Sequence, residues 1–213
     1  MSSARGATRL WITLVTIAGS FGVVGSSPAS AQDKYPSKPI RWIVGFPAGG
    51  GSDFLARTIA NAMSEQMGQP IVIDNRPGAA AMIGAEAAAR APADGYTVWS
   101  GDQATLIFNP MFYKKVNYKV SDFNPVGLMG KFNFVVCTGA NGGIHSLPAA
   151  VDAVKKGAKF SFGSSGAGTP QHLVMEMFNK SAGIDLTHVP YRGLPPVVQD
   201  LIGNQIQFGV IDV

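Results

Sequence analysis

Short apolar runs alternate with amphipathic segments along the chain, and glycine or proline separates them. The run Ile40–Phe46 stops at Pro47, three glycines follow, and from Asp53 to Met67 apolar residues recur at helical spacing. This pattern predicts a strand, a loop and then a helix whose N-cap is Ser52 or Asp53.

The same order of elements returns at Lys159–Lys180, where a strand leads through a Gly/Ser loop into a helix. Thr169 is the expected N-cap, and Pro170 is the expected first helical residue, where its missing N–H costs nothing. The first N–H groups of a helix lack internal partners and carry partial positive charge. Two such helix N-termini predict two lobes that hold an anion in a shared cleft. A plain strand–turn–helix with a capped helix is the alternative for each segment.

Strands and helices alternate over the rest of the chain, which predicts an α/β protein with parallel-rich sheets flanked by helices. Further strands are expected at Pro70–Asp74, Tyr96–Ser100, Val126–Met129, Phe132–Thr138, Leu186–Val189 and Gln205–Ile211, and further helices before Arg90 and at Asn109–Lys115, Leu147–Lys156 and Pro195–Ile202. A lobe boundary is expected near Gly130. The apolar strand that ends the chain is either an edge strand or a sign that the chain is incomplete.

The first 31 residues have the pattern of a secretory signal peptide: Arg5 and Arg9, a mostly apolar segment at Leu10–Val24, and the cleavage pattern Ala29-Ser30-Ala31. We expect export and cleavage after Ala31, and an uncleaved membrane anchor is the alternative. Cleavage would remove two of the 17 basic residues and none of the 13 acidic ones, which lowers the net charge from +4 to +2. With no stripe of Lys and Arg, this charge does not indicate a nucleic-acid partner.

Cofactor and metal patterns are incomplete. Gly49 and Gly51, followed by Asp74, approach the spacing of a dinucleotide site, but Phe54 stands in place of the third glycine. The three histidines lack ligand spacing, and the single Cys137 lies in a buried-strand pattern. No metal and no cofactor is therefore expected.

A serine hydrolase has a closer pattern. The segment 163–167, GSSGA, is one residue short of a nucleophile elbow, with Ser165 as nucleophile and Asp185 and His188 following in acid-then-histidine order. The predicted helix begins four or five residues beyond Ser165, however, whereas an elbow serine turns directly into its helix. Binding without catalysis is favoured, and an exported serine hydrolase is the alternative.

Longer motifs occur in an order that resembles the Bug or TctC-type receptors, the periplasmic solute-binding components of tripartite tricarboxylate transporters. The motifs are YPSKPIRWIVGFPAGGGSD, QPIVIDNRPGAA, DGYTVWSGDQ, FNPMFYKK, FGSSGAGTPQHLVMEMF and HVPYRG. The resemblance covers essentially all of the chain after residue 31. It implies the two-lobed type II periplasmic binding protein fold, with lobe 1 at 32–130 and lobe 2 at 131–213.

The resemblance also implies a function and partners. The lobes would close on a small carboxylate: a di- or tricarboxylate, an acidic amino acid or an aromatic acid. It implies no catalysis and no cofactor, a monomer in solution, and the membrane permease subunits of a tripartite tricarboxylate transporter as partners.

Carried residue by residue onto this chain, the resemblance implies ligand contacts from several loops. The implied ligand-binding residues are Phe46, Pro47, Ala48, Gly49, Gly50, Ser52, Asp102, Gln103, Ser164, Ser165, Gly166, Gly168, Thr169, His172, Tyr191, Arg192, Gly193 and Asp212. Asp53 would cap the helix after the first loop. Ala48 stands where the family often has a second proline, and Arg192 stands where lysine is frequent.

Chain length is the main departure from the family pattern. Family members run on well beyond the position of Val213, so the resemblance implies that the second lobe and the return to the first lobe are incomplete here. A truncated remnant that no longer binds is therefore a third hypothesis.

Overall fold

The first sheet shows how the apolar runs become strands. In the computed structural model, which describes residues 34–213, this sheet is wholly parallel with strand order β2-β1-β3. The strands are β1 Ile40–Val44, β2 Ile71–Asn75 and β3 Thr97–Ser100. β1 is central and covered on both faces, so Ile43 and Val44 are fully buried, and Arg41 is the one charged residue in an otherwise apolar strand.

Three α-helices accompany this sheet. They are α1 Gly51–Met67, α2 Met82–Ala89 and α3 Asn109–Phe112, with a π-helical turn at Ala104–Phe108 directly before α3 and a 3-10 turn at Val120–Asp122. α1 packs Ala56 and Ala60 against Trp42 and Val44. Small residues on the buried side of α1 let the helix lie close to the sheet.

The second sheet is mixed, with strand order β4-β7-β5-β6. Its strands are β4 Phe134–Cys137, β5 Ser161–Ser164, β6 Thr187–Pro190 and β7 Phe208–Asp212, and its helices are α4 Leu147–Lys155, α5 Pro170–Ala182 and α6 Leu194–Ile202. β7 runs parallel to β5 and antiparallel to β4. The core includes Phe162, Met175, Leu186 and Phe208.

One expectation about strands is wrong, and one of the two alternatives for the final strand is excluded. The segment Val126–Met129 forms no strand, and Val126 and Leu128 are 95% and 79% exposed. An apolar run becomes a strand only where another backbone pairs with it, and Pro125 has no N–H to donate. The final strand β7 is not at an edge, because it lies between β4 and β5.

The described residues do not test the predicted signal peptide or the predicted lobe boundary. The predicted signal peptide at residues 1–31 lies outside the described residues. Residues 34–213 form one compact unit that contains both sheets, and the lobe boundary near Gly130 stays a prediction. Across residues 34–213, no helix has both the length and the apolar character needed to cross a membrane.

Candidate functional site

A cleft of about 250 Å³ opens at the carboxyl ends of two pairs of parallel strands, one pair in each sheet. Its lining comes from the loops after β1, β2, β5 and β6 and from the residue that follows α3. The lining residues are Gly45, Phe46, Gly78, Ala79, Ala80, Ala81, Tyr113, Ser165, Gly166, Ala167, Pro190, Tyr191 and Arg192. Ligands of open α/β sheets bind in crevices at this end of the strands, so the position is that of a binding site.

The cleft lining consists mostly of backbone and small side chains. Arg192 is the one charged residue in it, and no carboxylate lines it among the residues the structure describes. Such a surface can donate hydrogen bonds from N–H groups and a guanidinium, and both favour an anionic acceptor.

The loop after β2 forms one wall, and its backbone is unusual. Ala79, Ala80 and Ala81 have φ angles of 49°, 50° and 65°, the left-handed region that costs an L-residue roughly 1–2 kcal/mol. Within residues 34–213, the N–H groups of these three alanines have no hydrogen-bond acceptor. Backbone strain of this kind persists where the surrounding structure imposes it and is often found at ligand sites.

The loop after β5 forms the facing wall, and hydroxyl groups hold it from beneath. Thr169 Oγ1 donates to the carbonyl of Gly166 at 2.7 Å, and Ser164 Oγ donates to the same oxygen at 3.0 Å. Ser165 Oγ donates to Gln171 Oε1 at 3.0 Å. The buried side chains therefore fix the loop, while its backbone lines the cleft.

Two histidines stack behind this wall. The rings of His172 and His188 lie 3.9 Å apart, and His188 also stacks on Phe162. Nε2 of His188 lies 2.7 Å from Ser164 Oγ, and Nδ1 of His172 accepts from the N–H of Gly168 at 3.1 Å. Burial, reinforced by the nearby His172, lowers the pKa of His188 to about 4. His188 is therefore a neutral support for the loop near pH 7.

The start of α1 corrects the prediction of its cap. Gly50 is the N-cap and makes no side-chain cap bond, so neither Ser52 nor Asp53 occupies that position. Asp53 is the third helical residue and reaches back, with Oδ2 accepting from the N–H of Gly49 at 3.0 Å and from Arg57 Nε at 2.9 Å. A shorter glycine turn than expected lets the helix begin earlier.

The Asp53 carboxylate is buried and fully bonded. Its Oδ1 accepts from Asn75 Nδ2 at 2.8 Å. Burial acts to raise the pKa of Asp53, but hydrogen bonds from Arg57, Gly49 and Asn75 hold it below its ordinary value. The chain's own carboxylate thus lies at the N-terminal end of α1, where it is bonded to the loop before the helix.

Two other predicted acidic residues also have partners within the protein. Asp212 Oδ1 accepts from Gln171 Nε2 at 3.0 Å, and its Oδ2 lies so close to Gly51 that a Cβ there would be only 2.6 Å away. Asp102 Oδ1 accepts from the N–H and the hydroxyl of Thr105, a residue of the π-helical turn. Burial raises the pKa of both carboxyl groups.

The structure brings some predicted site residues to the cleft and leaves others outside it. Those that line it are Phe46, Ser165, Gly166, Tyr191 and Arg192. Those outside the lining are Pro47, Ala48, Gly49, Gly50, Ser52, Asp102, Gln103, Ser164, Gly168, Thr169, His172, Gly193 and Asp212. Their roles toward a ligand stay predictions.

Tyr191 and Gly193 show how the predicted loop after β6 is built. The Tyr191 hydroxyl donates to Asp200, and burial together with this bond raises the pKa of Tyr191 to about 12. The N–H of Tyr191 donates to the carbonyl of Ser164 at 3.0 Å, so both donors of this residue have partners within the protein. Gly193 has φ +124°, and a Cβ there would come within 2.5 Å of Pro47 Cδ. Glycine is required at this close approach of two loops.

Some lining residues were not predicted from the sequence: Gly45, the wall Gly78–Ala81, Tyr113, Ala167 and Pro190. A run of alanines gives no signal for left-handed backbone, and Tyr113 joins the cleft only through folding. The motif NRPGAA marked a turn there, and that turn was the one available signal.

The hydrolase hypothesis finds no support in the geometry. His188 contacts Ser164 and not Ser165, and Ser165 donates to Gln171. Among the described residues, no group of three or more His, Cys, Asp or Glu side chains could hold a metal ion.

An α/β protein with an amide-lined cleft at the ends of its strands has the features of a solute-binding receptor. The family model described as "Tripartite tricarboxylate transporter family receptor" matches residues 55–213. The chain belongs to this family of substrate-binding receptors, which are not enzymes.

Relatives and solved structures agree with this assignment. The chain is 35% identical to the protein BugT of Bordetella pertussis over 202 residues, which is 93% of this chain and 61% of BugT. It is similar to R. palustris Rpa4515 with adipate (28% identity, TM-score 0.75, 84% of this chain and 60% of that chain). It is also similar to MatC of Rhodopseudomonas palustris with bound malate (26% identity, TM-score 0.76, 84% and 61%). The chain spans about 56–61% of the length of the first two curated relatives it matches.

Proposed function

We propose that this chain binds a small carboxylate in the cleft, as the periplasmic solute receptor of a tripartite tricarboxylate transporter. The observation that carries the proposal is the cleft lining, which offers backbone from four loops and Arg192 and no carboxylate among the described residues. A volume of about 250 Å³ suits a small solute.

The charge of the ligand follows from the donors. The N–H groups of Ala79, Ala80 and Ala81 are without partners in the described part of the chain, and a carboxylate that accepts from such groups makes charge-assisted bonds. Two structural relatives hold malate and adipate, so dicarboxylates are the first candidates.

The test is calorimetric titration of the protein with malate, adipate and the neutral diamide adipamide. We expect one of the two acids to bind and adipamide to bind at least tenfold more weakly. The N–H donors of the cleft make stronger, charge-assisted hydrogen bonds to a carboxylate than to a neutral amide. Arg192→Gln should weaken acid binding severalfold, whereas Lys156→Gln, an exposed cation at the end of α4, should leave it unchanged. Equal binding of acid and diamide would contradict the proposal.

The partners belong to the same proposal. A receptor of this family would deliver its ligand to membrane permease subunits from the periplasm, and we propose that it does so as a monomer. Light scattering of the purified protein checks the oligomeric state. Fractionation of expressing cells checks the location.

A further inference from the structure

Tyr113, the residue that follows α3, touches the wall formed by the loop after β5. Its hydroxyl donates to the carbonyl of Ala167 at 2.9 Å. Its ring lies against Gly168, where an added Cβ would be 3.4 Å from Tyr113 Cε2. The Tyr113 side chain is also part of the cleft lining.

Asn109, at the start of the same helix, touches the opposite wall. Its Nδ2 donates to the carbonyl of Ala80 at 2.8 Å, and the residue is fully buried. The N–H of Tyr113 donates to the carbonyl of Asn109 at 3.0 Å, so one helical turn separates the two residues. α3 therefore contacts both walls of the cleft, one through each end.

From these contacts we infer that Tyr113 is a positioning residue that ties the two walls of the cleft together, slows ligand release and limits the length of the ligand. The hydroxyl supplies the tie to Ala167. The ring, which borders the cleft, supplies the limit on length. The part that concerns the ligand rests on the function proposed above, whereas the tie rests on the two hydrogen bonds alone.

The tie is tested first without ligand, by hydrogen exchange on the full chain. Tyr113→Phe removes the hydroxyl and keeps the ring, so we expect amides at 165–168 to exchange roughly two- to tenfold faster, the range that one hydrogen bond supports. Tyr35→Phe is the matched control, because the Tyr35 hydroxyl donates to the carbonyl of Gly95 at 2.7 Å, away from the cleft. Equal exchange at 165–168 in the two variants would overturn the tie.

The role toward ligand is tested by stopped-flow binding of malate and adipate. Tyr113→Phe should raise the dissociation rate constant roughly two- to tenfold, with a smaller change in the association rate constant. Tyr113→Ala, which removes the ring as well, should shift the affinity ratio toward adipate, the longer acid. An unchanged dissociation rate constant in Tyr113→Phe, or an unchanged affinity ratio in Tyr113→Ala, would overturn this part.

The outcomes separate this inference from the proposed function. If the wild-type protein binds neither acid, the proposed function fails, and the exchange experiment still decides the tie. If the wild-type protein binds and Tyr113→Phe behaves like Tyr35→Phe in both experiments, the inference fails and the proposed function stands.

Discussion

The two strand–loop–helix segments have the same local geometry. Gly49 and Gly168 have φ angles of +83° and +80°, and each donates its N–H to the third residue of the helix that follows. The acceptor is Oδ2 of Asp53 in the first segment and Nδ1 of His172 in the second. The chemistry of that acceptor therefore differs between the two segments.

This difference decides which helix N-terminus can attract an anion. In the first segment the carboxylate of Asp53 lies at the positive end of α1. Asp212 lies near both segments, because one of its oxygens approaches Gly51 and the other accepts from Gln171 in the first turn of α5. In the second segment the acceptor is an imidazole nitrogen of His172, and the first turn of α5 contains no acidic residue. A ligand carboxylate is therefore expected nearer to α5, because the dipole of α1 is already compensated by the chain.

Lowering the pH should give the largest effect, because the free energy of unfolding contributed by each of the two segments depends on pH over a different range. The pKa of His188 is about 4 in the folded protein against an ordinary 6.5, so the unfolded chain binds the proton first. The contribution of neutral His188 to the free energy of unfolding is then fully present above pH 6.5. It falls as the pH drops toward 4, by on the order of 3 kcal/mol at most. The lowered pKa of Asp53 acts at more acidic pH, with its contribution lost only as the pH falls below 3.8.

Urea unfolding at pH 7 and pH 4.5 checks this expectation. His188→Gln, which keeps a donor near Ser164 and cannot titrate, should lose less free energy of unfolding over that interval than the wild-type protein. Parallel losses in the two proteins would show that His188 is not the group responsible.

Removing each acceptor should give the next largest effect. Asp53→Ala takes away a buried carboxylate with three hydrogen-bond donors, and we expect the free energy of unfolding to fall by roughly 2–3 kcal/mol at pH 7. His172→Ala should cost about 1 kcal/mol, because a neutral acceptor is lost. Chemical denaturation measures both, with the exposed Asp152→Ala as control. Equal losses of unfolding free energy in the two variants would contradict the expectation that the acceptor Asp53 stabilises the protein more than the acceptor His172 does.

Alanine at the two glycines should give the smallest effect. Gly49→Ala and Gly168→Ala should each cost roughly 1 kcal/mol of unfolding free energy, because an L-residue disfavours φ near +80°. Gly143→Ala, at φ +70° with open space around it, is the control for backbone strain alone. Only Gly168→Ala should also weaken acid binding, since its Cβ would contact Tyr113. Weaker binding in all three variants would point to a general loss of folded protein.

Much of the fold could be predicted from local pattern. Apolar runs gave β1 and β5 nearly as observed, and Thr169 with Pro170 marked the start of α5 correctly. The strand expected at Val126–Met129 failed because strand formation depends on a distant partner, which the run itself does not encode.

The candidate site could be predicted only in part. Glycine-rich loops drew attention to Ser165 and Gly166, which do line the cleft. The alanine wall gave no such signal, since its left-handed backbone is imposed by the surrounding structure and not by residue type. The pairing of Gly49 with Asp53 and of Gly168 with His172 was visible as a spacing of four, but its meaning needed the geometry.

A binding surface made of peptide groups has a consequence for how these receptors diversify. Every residue except proline carries the same N–H, so most substitutions at Ala79, Ala80 or Ala167 leave the donors in place. A new solute preference would then arise chiefly from residues behind the walls, which change the spacing between them. Mutations under selection for a new nutrient should accordingly accumulate out of contact with the nutrient itself.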